Sequence, residues 1–566
     1  MTTIFHAYLD FNEDGACMAH ILDLPGCFVR ADNRELALLS LPTAMEGYQA
    51  WLRSHGEDPE PLPADFEIEV VAEVTGEGGL HRGGRVGLFE PEKEPVSAAE
   101  VTSWLRLAAY NREELLTLVG GWPDSLLGWR PSEDEMSIHD VLVHIGDADG
   151  IYVTRILRPT PAIQRKEAGM DWRQYLAVQR EAAITQLRNL SEEERSWINV
   201  PDDHEGDESW TVRKVLRRMV EHEREHMAHI HEILGRWSQA FWVRLTAERS
   251  QLLWDMRSLS EEQLTTIGVE GDWTVKDILV HIGWWDLLQA RRLALLASGR
   301  LDKGRDVPED EVTYINQHVH DEYGKMAFEQ ALAFFLKERG SFKAGLKRLA
   351  EYEWHEPLVL GDGSRVAVRE WAERRCTHDS AHSHQLAKWR DELPKEERRH
   401  TGPLPLLTAT FQASRRALLA VVDWVPDGER TTRLVCGEWN LKDVLGHVTD
   451  WEAWGVQVVR DVLATGKVGE SDFKGDIQAW NEARAAERFA HSWDRVWADF
   501  EETRNQLMGL LGELTAEQLN ISFMAPWQQE MTVYRWLLIW LEHERYHAGD
   551  LRSELAIPGV AKRLLA

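Results

Sequence analysis

A motif of histidine, acid, two variable residues and a second histidine occurs three times in this 566-residue sequence. Two histidines four residues apart on a helix lie one turn above each other, so both can bind the same metal ion. Each copy closes a segment of similar length, which predicts a protein built from three repeats. The copies are His222-Glu223-Arg224-Glu225-His226, His378-Asp379-Ser380-Ala381-His382 and His543-Glu544-Arg545-Tyr546-His547.

A second motif lies upstream of each histidine pair and adds a third histidine. It begins with Met or Trp, continues with Ser, Thr or Asn three residues before an Asp, and ends at the histidine. The polar residue and the Asp resemble a capping box, which predicts that a helix starts there. The copies run from Met136 to His144, Trp273 to His281 and Trp439 to His447, with N-caps at Ser137, Thr274 and Asn440 and the acids Asp140, Asp277 and Asp443.

The spacing between the two motifs predicts helical bundles. The upstream histidine precedes its pair by 78, 97 and 96 residues, enough for one long intervening helix with its loops. Four helices per repeat, with histidines on the second and fourth, are typical of an antiparallel bundle, whose core often holds a metal. We expect purely helical repeats at 97–238, 239–395 and 403–566, with helices over about 211–234 and 477–514 among them.

The three histidines of each repeat are candidate ligands of a divalent metal. His-Glu-x-x-His alone suggests a zinc protease with the Glu as base, but three copies, Asp379 in the second and a better third ligand upstream argue against that interpretation. For any single histidine, a hydrogen-bonded core residue is the alternative. Glu223 and Glu544, inside the pairs, are expected to face solvent or to orient a ligand. The acids five residues after each upstream histidine, Asp149, Asp286 and Glu452, are expected to form interhelical ion pairs or to orient a ligand.

Residues 1–75 have a different pattern from the repeats. Short alternating strands around Gly15 and the Pro25-Gly26 turn precede a helix from about Asn33 to Leu52, which Pro42 should bend or interrupt, and a last strand follows. This β-β-α-β order with Pro-Gly-Cys27 resembles the HicB antitoxin-type domain, which implies a module for protein contacts. A plain α/β cap on the first repeat is the alternative. Residues 76–96, rich in Gly and Glu, are predicted to be a linker.

Composition narrows the function classes. The balance of 64 basic and 95 acidic residues, a net charge of −31, argues against a nucleic-acid or anionic-membrane binder, since both need a positive surface. Four scattered cysteines are too few to stabilise a chain of this length through disulfide bonds. No apolar run is long enough for a membrane span. We therefore expect a cytoplasmic protein with no nucleic acid and no membrane among its partners.

The recurring upstream motif and the histidine pairs together resemble the DinB-like superfamily over about residues 97–566. The resemblance implies a mainly α fold of three tandem up-down-down-up four-helix bundles behind a small N-terminal α/β module. It also implies a divalent metal on each triad. Three neutral imidazoles with an open coordination position suit zinc, nickel or iron. By position these ligands are His144, His222 and His226 in the first repeat, His281, His378 and His382 in the second, and His447, His543 and His547 in the third.

Three hypotheses for function follow. Members of the superfamily include metal-dependent thiol transferases and isomerases, so the first is an enzyme, a transferase or hydrolase, that attacks a small electrophile with a low-molecular-weight thiol or water. The second is a protein that binds and sequesters a small molecule without turnover. The third is a scaffold that recruits a protein partner through the N-terminal module. The third repeat is the most regular, and its segment from Ile477 resembles the resistance-protein branch, so it is the preferred active site.

Overall fold

The computed structural model describes residues 3–13, 15–75, 87–120, 122, 124–159, 161, 165–167, 169–201, 209–298, 307–349, 353–354, 357–360 and 363–558. The chain divides into two compact units. The first comprises Met1–Arg130 and Asp134–Leu234, and the second comprises Pro131–Glu133 and Gly235–Ala566. None of the helices within the described ranges has the length and hydropathy to cross a membrane.

The first unit begins with a four-stranded sheet covered by one helix. Alternating apolar residues form the strands. In chain order the sheet runs third, second, first, fourth, with the first strand antiparallel to the second and parallel to the fourth. Three strands precede the helix rather than the expected two, because the turn at Gly26, with φ +87°, divides the segment before it. The elements are β1 Thr3–Phe11, β2 Cys17–Ile21, β3 Cys27–Ala31, α1 Arg34–Ser54 and β4 Phe66–Thr75.

Helix α1 contradicts the expectation that Pro42 interrupts it. The helix runs through Pro42 unbroken from Arg34 to Ser54. A proline inside a helix removes one backbone hydrogen bond and costs about 3 kcal/mol. Against that cost, the helix buries Leu41, Met45 and Tyr48 against the sheet, and each such apolar side chain contributes about 1.5–3 kcal/mol. Burial of this face therefore outweighs the local defect.

The rest of the first unit is a helical bundle with a core from Val96 to Val220. Its last helix continues without a break well past Leu234, where the sequence predicted its end, and into the second repeat, predicted to begin at residue 239. Gly235 is the only glycine between Leu234 and residue 239, and no proline lies there, so nothing local terminates the helix. The helices are α2 Ala98–Val119, α3 Asp124–Leu127, α4 Ile138–Thr154, α5 Trp172–Asn189 and α6 Val212–Met256.

The second unit contains two further bundles, whose cores centre on α8 and α13. Its helices are α7 Glu261–Thr265, α8 Val275–Ala297, α9 Glu309–Tyr323, α10 Phe328–Lys347, α11 Val368–Glu392, α12 Leu404–Val422, α13 Leu441–Thr465, α14 Ile477–Arg488, α15 Trp493–Glu513, α16 Ala516–Leu519 and α17 Val533–Glu554. The single helix expected over 477–514 is two helices, α14 and α15. Helices α9 and α14 occupy equivalent places, which explains why the second and third intervals between the motifs are longer than the first.

Four short antiparallel hairpins correct the expectation of purely helical repeats. Each one leads directly into a histidine-bearing helix of the second unit, α8, α11, α13 or α17. Residues Gly271 and Gly437, both at φ +58°, form two of the turns. The hairpins are β5 Gly268–Glu270 with β6 Trp273–Thr274, β7 Pro357–Val359 with β8 Arg365–Ala367, β9 Leu434–Cys436 with β10 Trp439–Asn440, and β11 Ser522–Met524 with β12 Glu530–Thr532.

The predicted helix starts at the upstream motifs are confirmed. In α4, α8 and α13 the N-cap side chain accepts a hydrogen bond from the backbone N–H of the Asp three residues later, and that Asp accepts one from the N-cap backbone. Both halves of the capping box are therefore present in every repeat. The N-caps are Ser137, Thr274 and Asn440.

Buried charges join the N-terminal sheet to helix α6 within the first unit. His20 Nδ1 lies 2.9 Å from Glu221, and His20 Nε2 lies 3.2 Å from Asp10. Residues 76–86 of the predicted linker lie outside the described residues, but Glu92 within it is 1% exposed and accepts a 2.7 Å hydrogen bond from Arg217. Ion pairs that are buried from water therefore connect the sheet to the bundle.

Candidate metal centre

The structure brings together each of the three predicted histidine triads. In every bundle the upstream histidine lies on the second main helix and the pair on the last, and all three rings face the same point. The ligand nitrogens of each triad lie within 4.8 Å of one another. The triads are His144, His222 and His226; His281, His378 and His382; and His447, His543 and His547.

Hydrogen bonds between the rings cannot satisfy all three imidazole nitrogens of a triad. His543 Nε2 lies 2.9 Å from Nε2 of His447 and 3.1 Å from Nε2 of His547. In the first bundle, His222 Nε2 lies 3.1 and 3.0 Å from the corresponding nitrogens of its two partners. A neutral ring nitrogen carries either one hydrogen or one lone pair in the ring plane, so it forms one good hydrogen bond there. A cation at the centre would instead accept all three lone pairs.

The nitrogen separations are also those of a ligand set. At metal–nitrogen distances of about 2.0–2.1 Å, two ligand nitrogens lie about 3.3 Å apart at a tetrahedral angle and about 2.9 Å apart at a right angle. The close pairs in the three triads span 2.9–3.1 Å. Since all ligand nitrogens of a triad lie within 4.8 Å of one another, side-chain shifts could bring all three to one ion and leave the remaining coordination positions open.

Burial keeps the rings in the neutral form that metal ligation requires. Burial, reinforced by the neighbouring rings of His547 and His447, lowers the pKa of His543 to about 2. Burial similarly lowers the pKa of His281 to about 3. The pKa values of the other triad members shift in the same direction. Since a protonated imidazole cannot bind a metal, these shifts keep the lone pairs free at neutral pH.

In the second triad a neighbouring amide fixes one ring's orientation. His382 Nδ1 lies 2.9 Å from Gln385 Oε1, so it donates its hydrogen there and leaves the Nε2 lone pair available for a metal. His384, two residues after His382, is not a member of the triad, and it bonds the carbonyl oxygen of Ser380 within its own helix.

Three segments of the chain match the sequence profile of the DinB superfamily. They are residues 108–230, 244–386 and 410–551, one per bundle, and together they span most of the sequence. The chain belongs to the DinB superfamily. Neither the curated proteins nor the solved structures contain a significant match to it. Three tandem DinB bundles, each with a triad that could hold a metal, therefore follow a small α/β module.

A buried cluster of two arginines and two acids lies beside each DinB triad. In the third bundle, Arg415 and Arg504 both contact Glu452 and Glu544, and all four are less than 10% exposed. Each arginine also donates to the backbone carbonyl four residues before the other one. The first bundle has Arg112 and Arg180 with Asp149 and Glu223, and the second has Arg249 and Arg339 with Asp286 and Asp379.

These clusters decide the role of the acids. The expected interhelical ion pairs are confirmed, and the acid inside each histidine pair is buried rather than solvent-facing. Burial alone would raise the pKa of Glu544, but Arg415 and Arg504 lower it. A carboxylate held by two guanidinium groups is not free to act as a general base, so the protease interpretation fails. The acids do not orient the rings of His226, His281, His378 and His547, because Nδ1 of each has no hydrogen-bond partner among the described residues.

The spacing of these arginines in the sequence is a signal for the clusters. The first arginine of each cluster precedes its acid by 37 residues in all three repeats. The second precedes the acid of the histidine pair by 43, 40 and 40 residues. A spacing that is nearly constant among the repeats indicates residues on adjacent helices that contact each other in every repeat.

Tryptophans lie beside the second and third triads, whereas Tyr152 lies beside the first, 5.6 Å from His222 as ring centroids. In the third bundle Trp439 lies 5.0 Å from His447, and both Trp451 and Trp540 lie 6.4 Å from His543, as ring centroids. Trp451 donates to Asn481 Oδ1 on α14, at 2.9 Å. The second bundle has the equivalent pair, Trp285 and Asn316 on α9, whereas Ala148 stands at the corresponding place in the first bundle.

Proposed function

We propose that the chain is a metal-dependent DinB protein whose third bundle acts on a small electrophile, with a thiol or water as the nucleophile. The observation that carries the proposal is the convergence of three neutral imidazole nitrogens, which hydrogen bonds between the rings cannot satisfy. His447, His543 and His547 would hold the ion and leave positions open to a ligand. Zinc, nickel and iron all accept this donor set.

The bound ion would supply a positive charge that lowers the pKa of a water or thiol beside it. The chain's own residues provide the surroundings for that chemistry. Trp451 and Trp540 present apolar surface next to His543, which excludes water and favours an apolar substrate. Asn481 fixes the ring of Trp451 through its indole N–H. Helix α14 thereby covers the third triad, as α9 covers the second.

The third bundle is favoured over the first because its aromatic wall is larger. Trp451, Trp454, Trp536 and Trp540 form one connected cluster with ring centroids 5.1–5.8 Å apart. All four are less than 10% exposed. A site with such walls can desolvate both a thiol and an apolar electrophile.

The test compares matched alanine variants of the full chain, purified without a nickel column. His547→Ala should lose one equivalent of metal and all turnover of a probe such as 1-chloro-2,4-dinitrobenzene with cysteine or glutathione as the thiol. Helical circular dichroism should stay nearly unchanged, since the bundle core does not include the ion. His226→Ala and His382→Ala should each lose one equivalent and keep turnover, and His491→Ala, outside the triads, should keep both.

Two outcomes would contradict parts of this proposal. Turnover that survives in His547→Ala eliminates the third triad as the active site. Retention of bound metal in all three triad variants eliminates the triads as metal sites.

Sequestration of a small molecule is the second candidate, favoured by the same connected tryptophans. They offer a binding surface that does not require an ion. Binding of an apolar probe that persists in His547→Ala, with no product formed by the unsubstituted protein, would favour sequestration over catalysis.

A further inference from the structure

A cavity of about 390 Å³ lies between the second and third bundles, away from all nine triad histidines. Helices α6, α10 and α12 form its walls, and its apolar surface comes from Leu245, Leu336, Ala344 and Ala413. The volume falls within the range of about 300–1,000 Å³ that is usual for small-molecule sites. It can therefore hold a ligand of modest size.

The charged residues of this cavity are all cations. Arg249 and Arg339 lie at the cavity and are neutralised by Asp286 and Asp379 in the buried cluster of the second bundle. Both arginines are less than 10% exposed. Their positive charge is therefore already neutralised by these two carboxylates.

The remaining three cations, Lys343, Lys347 and Arg416, are not balanced in this way. Within the described part of the chain, none of them forms an ion pair with a carboxylate. Lys343 and Lys347 each lie 5.8 Å from the ring centroid of Trp242, a contact that attracts a cation but carries no negative charge. Lys347 and Arg416 are exposed and Lys343 is partly buried, so three cations without a carboxylate partner face one cavity in a chain with a net charge of −31.

We propose that this cavity binds a small organic anion, with a carboxylate or phosphate group held by Lys343, Lys347 and Arg416 and an apolar body in contact with Leu245, Leu336 and Ala413. The anion would supply the missing negative charge, and its body would remove the apolar lining from water. Guanidinium and ammonium groups both form strong charge-assisted hydrogen bonds to such headgroups. This site is separate from the triads and does not depend on the metal.

The electrostatics of Lys343 agree with this geometry. Burial, with Arg416, Arg339, Lys347 and Arg249 facing the same ammonium group, lowers the pKa of Lys343 to about 8. A bound anion would favour the protonated form and raise that pKa. Binding should therefore take up protons near pH 8 and above, and affinity should fall as the pH rises through this range.

The experiment is isothermal titration calorimetry on the full chain at pH 7 with octanoate, octyl phosphate, octanol and inorganic phosphate. We expect at least one of the two octyl anions to bind at least tenfold more tightly than octanol and than inorganic phosphate. Lys343→Gln and Arg416→Gln should each weaken that binding about tenfold or more. Lys337→Gln is the matched control, because it lies on the same helix with a side chain 77% exposed and outside the cavity.

A second set of measurements keeps the proposal testable if one charge variant folds poorly. Ala344→Phe should fill the cavity and abolish binding while leaving metal content unchanged. In the unsubstituted protein the binding enthalpy at pH 8.5 should depend on the ionisation enthalpy of the buffer, and Lys343→Gln should remove that dependence. Octanol binding as tight as octanoate and octyl phosphate, inorganic phosphate binding as tight as either, or unchanged affinity in both charge variants would overturn the proposal.

Discussion

Replacement of Arg504 by methionine tests whether the buried charge clusters hold the bundles together. Arg504 Nε and Nη2 lie 3.1 and 2.6 Å from the two oxygens of Glu452, and its Nη2 also contacts Glu544. Its Nη1 donates to the carbonyl of Phe411 on α12. Methionine keeps much of the volume and removes every one of these hydrogen bonds.

The expected loss of stability is large because one partner of a buried pair is removed. Breaking such a pair costs about 3–5 kcal/mol, since the opposite charge stays buried without compensation. Glu452 would retain only Arg415, whose Nη2 lies 3.3 Å from both of its oxygens, so we expect a value near the lower end. About 3 kcal/mol corresponds to somewhat more than a hundredfold change in a local opening equilibrium.

Hydrogen exchange read by mass spectrometry measures that change in the full chain, bundle by bundle. Peptides from α13, α15 and α17 should exchange about a hundredfold faster in Arg504→Met, while peptides from the first unit should not change. Arg495→Met is the matched control on the same helix. Its exposed pair with Asp499, 65% and 39% exposed, should contribute less than about 1 kcal/mol.

A double substitution separates charge from packing. Adding Glu452→Gln to Arg504→Met should recover part of the loss, because it removes the charge left without its partner. The argument is refuted if Arg504→Met accelerates exchange in these helices no more than Arg495→Met does. Since Glu544 directly follows His543, we also expect weaker metal binding at the third triad in Arg504→Met, which metal titration would measure.

Two further predictions concern the core and the N-terminal module. Gly455→Ala should destabilise the third bundle by about 1–3 kcal/mol, because an added Cβ would lie 2.3 Å from Trp540 Nε1, whereas Gly509→Ala, with open space around it, should be neutral or stabilising in the same denaturant titration. Burial would lower the pKa of His20, but its carboxylate partners raise it, so its contribution to stability should be complete below about pH 6.5 and lost as pH rises through the folded pKa. Exchange of β1 and β2 should therefore speed up above neutral pH in the native chain, and an equal pH response in His20→Gln would contradict this.

The sequence by itself determined the repeat and the membership of each triad. Two histidines four residues apart must share a helix face, and a capping box must start a helix, whatever surrounds them. These are local geometric rules, and the structure agrees with them at Ser137, Thr274 and Asn440. The N-terminal α/β composition was also recognisable from period-two alternation, although the number of strands before α1 was not.

Tertiary structure decided what depends on contacts between distant segments. Pro42 is a helix breaker locally, and only the apolar face buried on the sheet keeps α1 continuous. The hairpins before α8 and α13 have strands of two or three residues, too short to produce a periodic pattern.

The buried charged residues show most clearly the difference between what local sequence determines and what tertiary packing determines. An acid next to a ligand histidine has several possible roles in the sequence, and adjacent helical residues point about 100° apart whichever role applies. Whether Glu544 faces water, a metal or an arginine depends on which helices pack beside α17. The structure places Arg415 and Arg504 there, from segments 129 and 40 residues away. Local patterns thus determined which helices form and which faces carry histidines, while packing between helices determined which charges are neutralised and which, such as Lys343 and Arg416, are not.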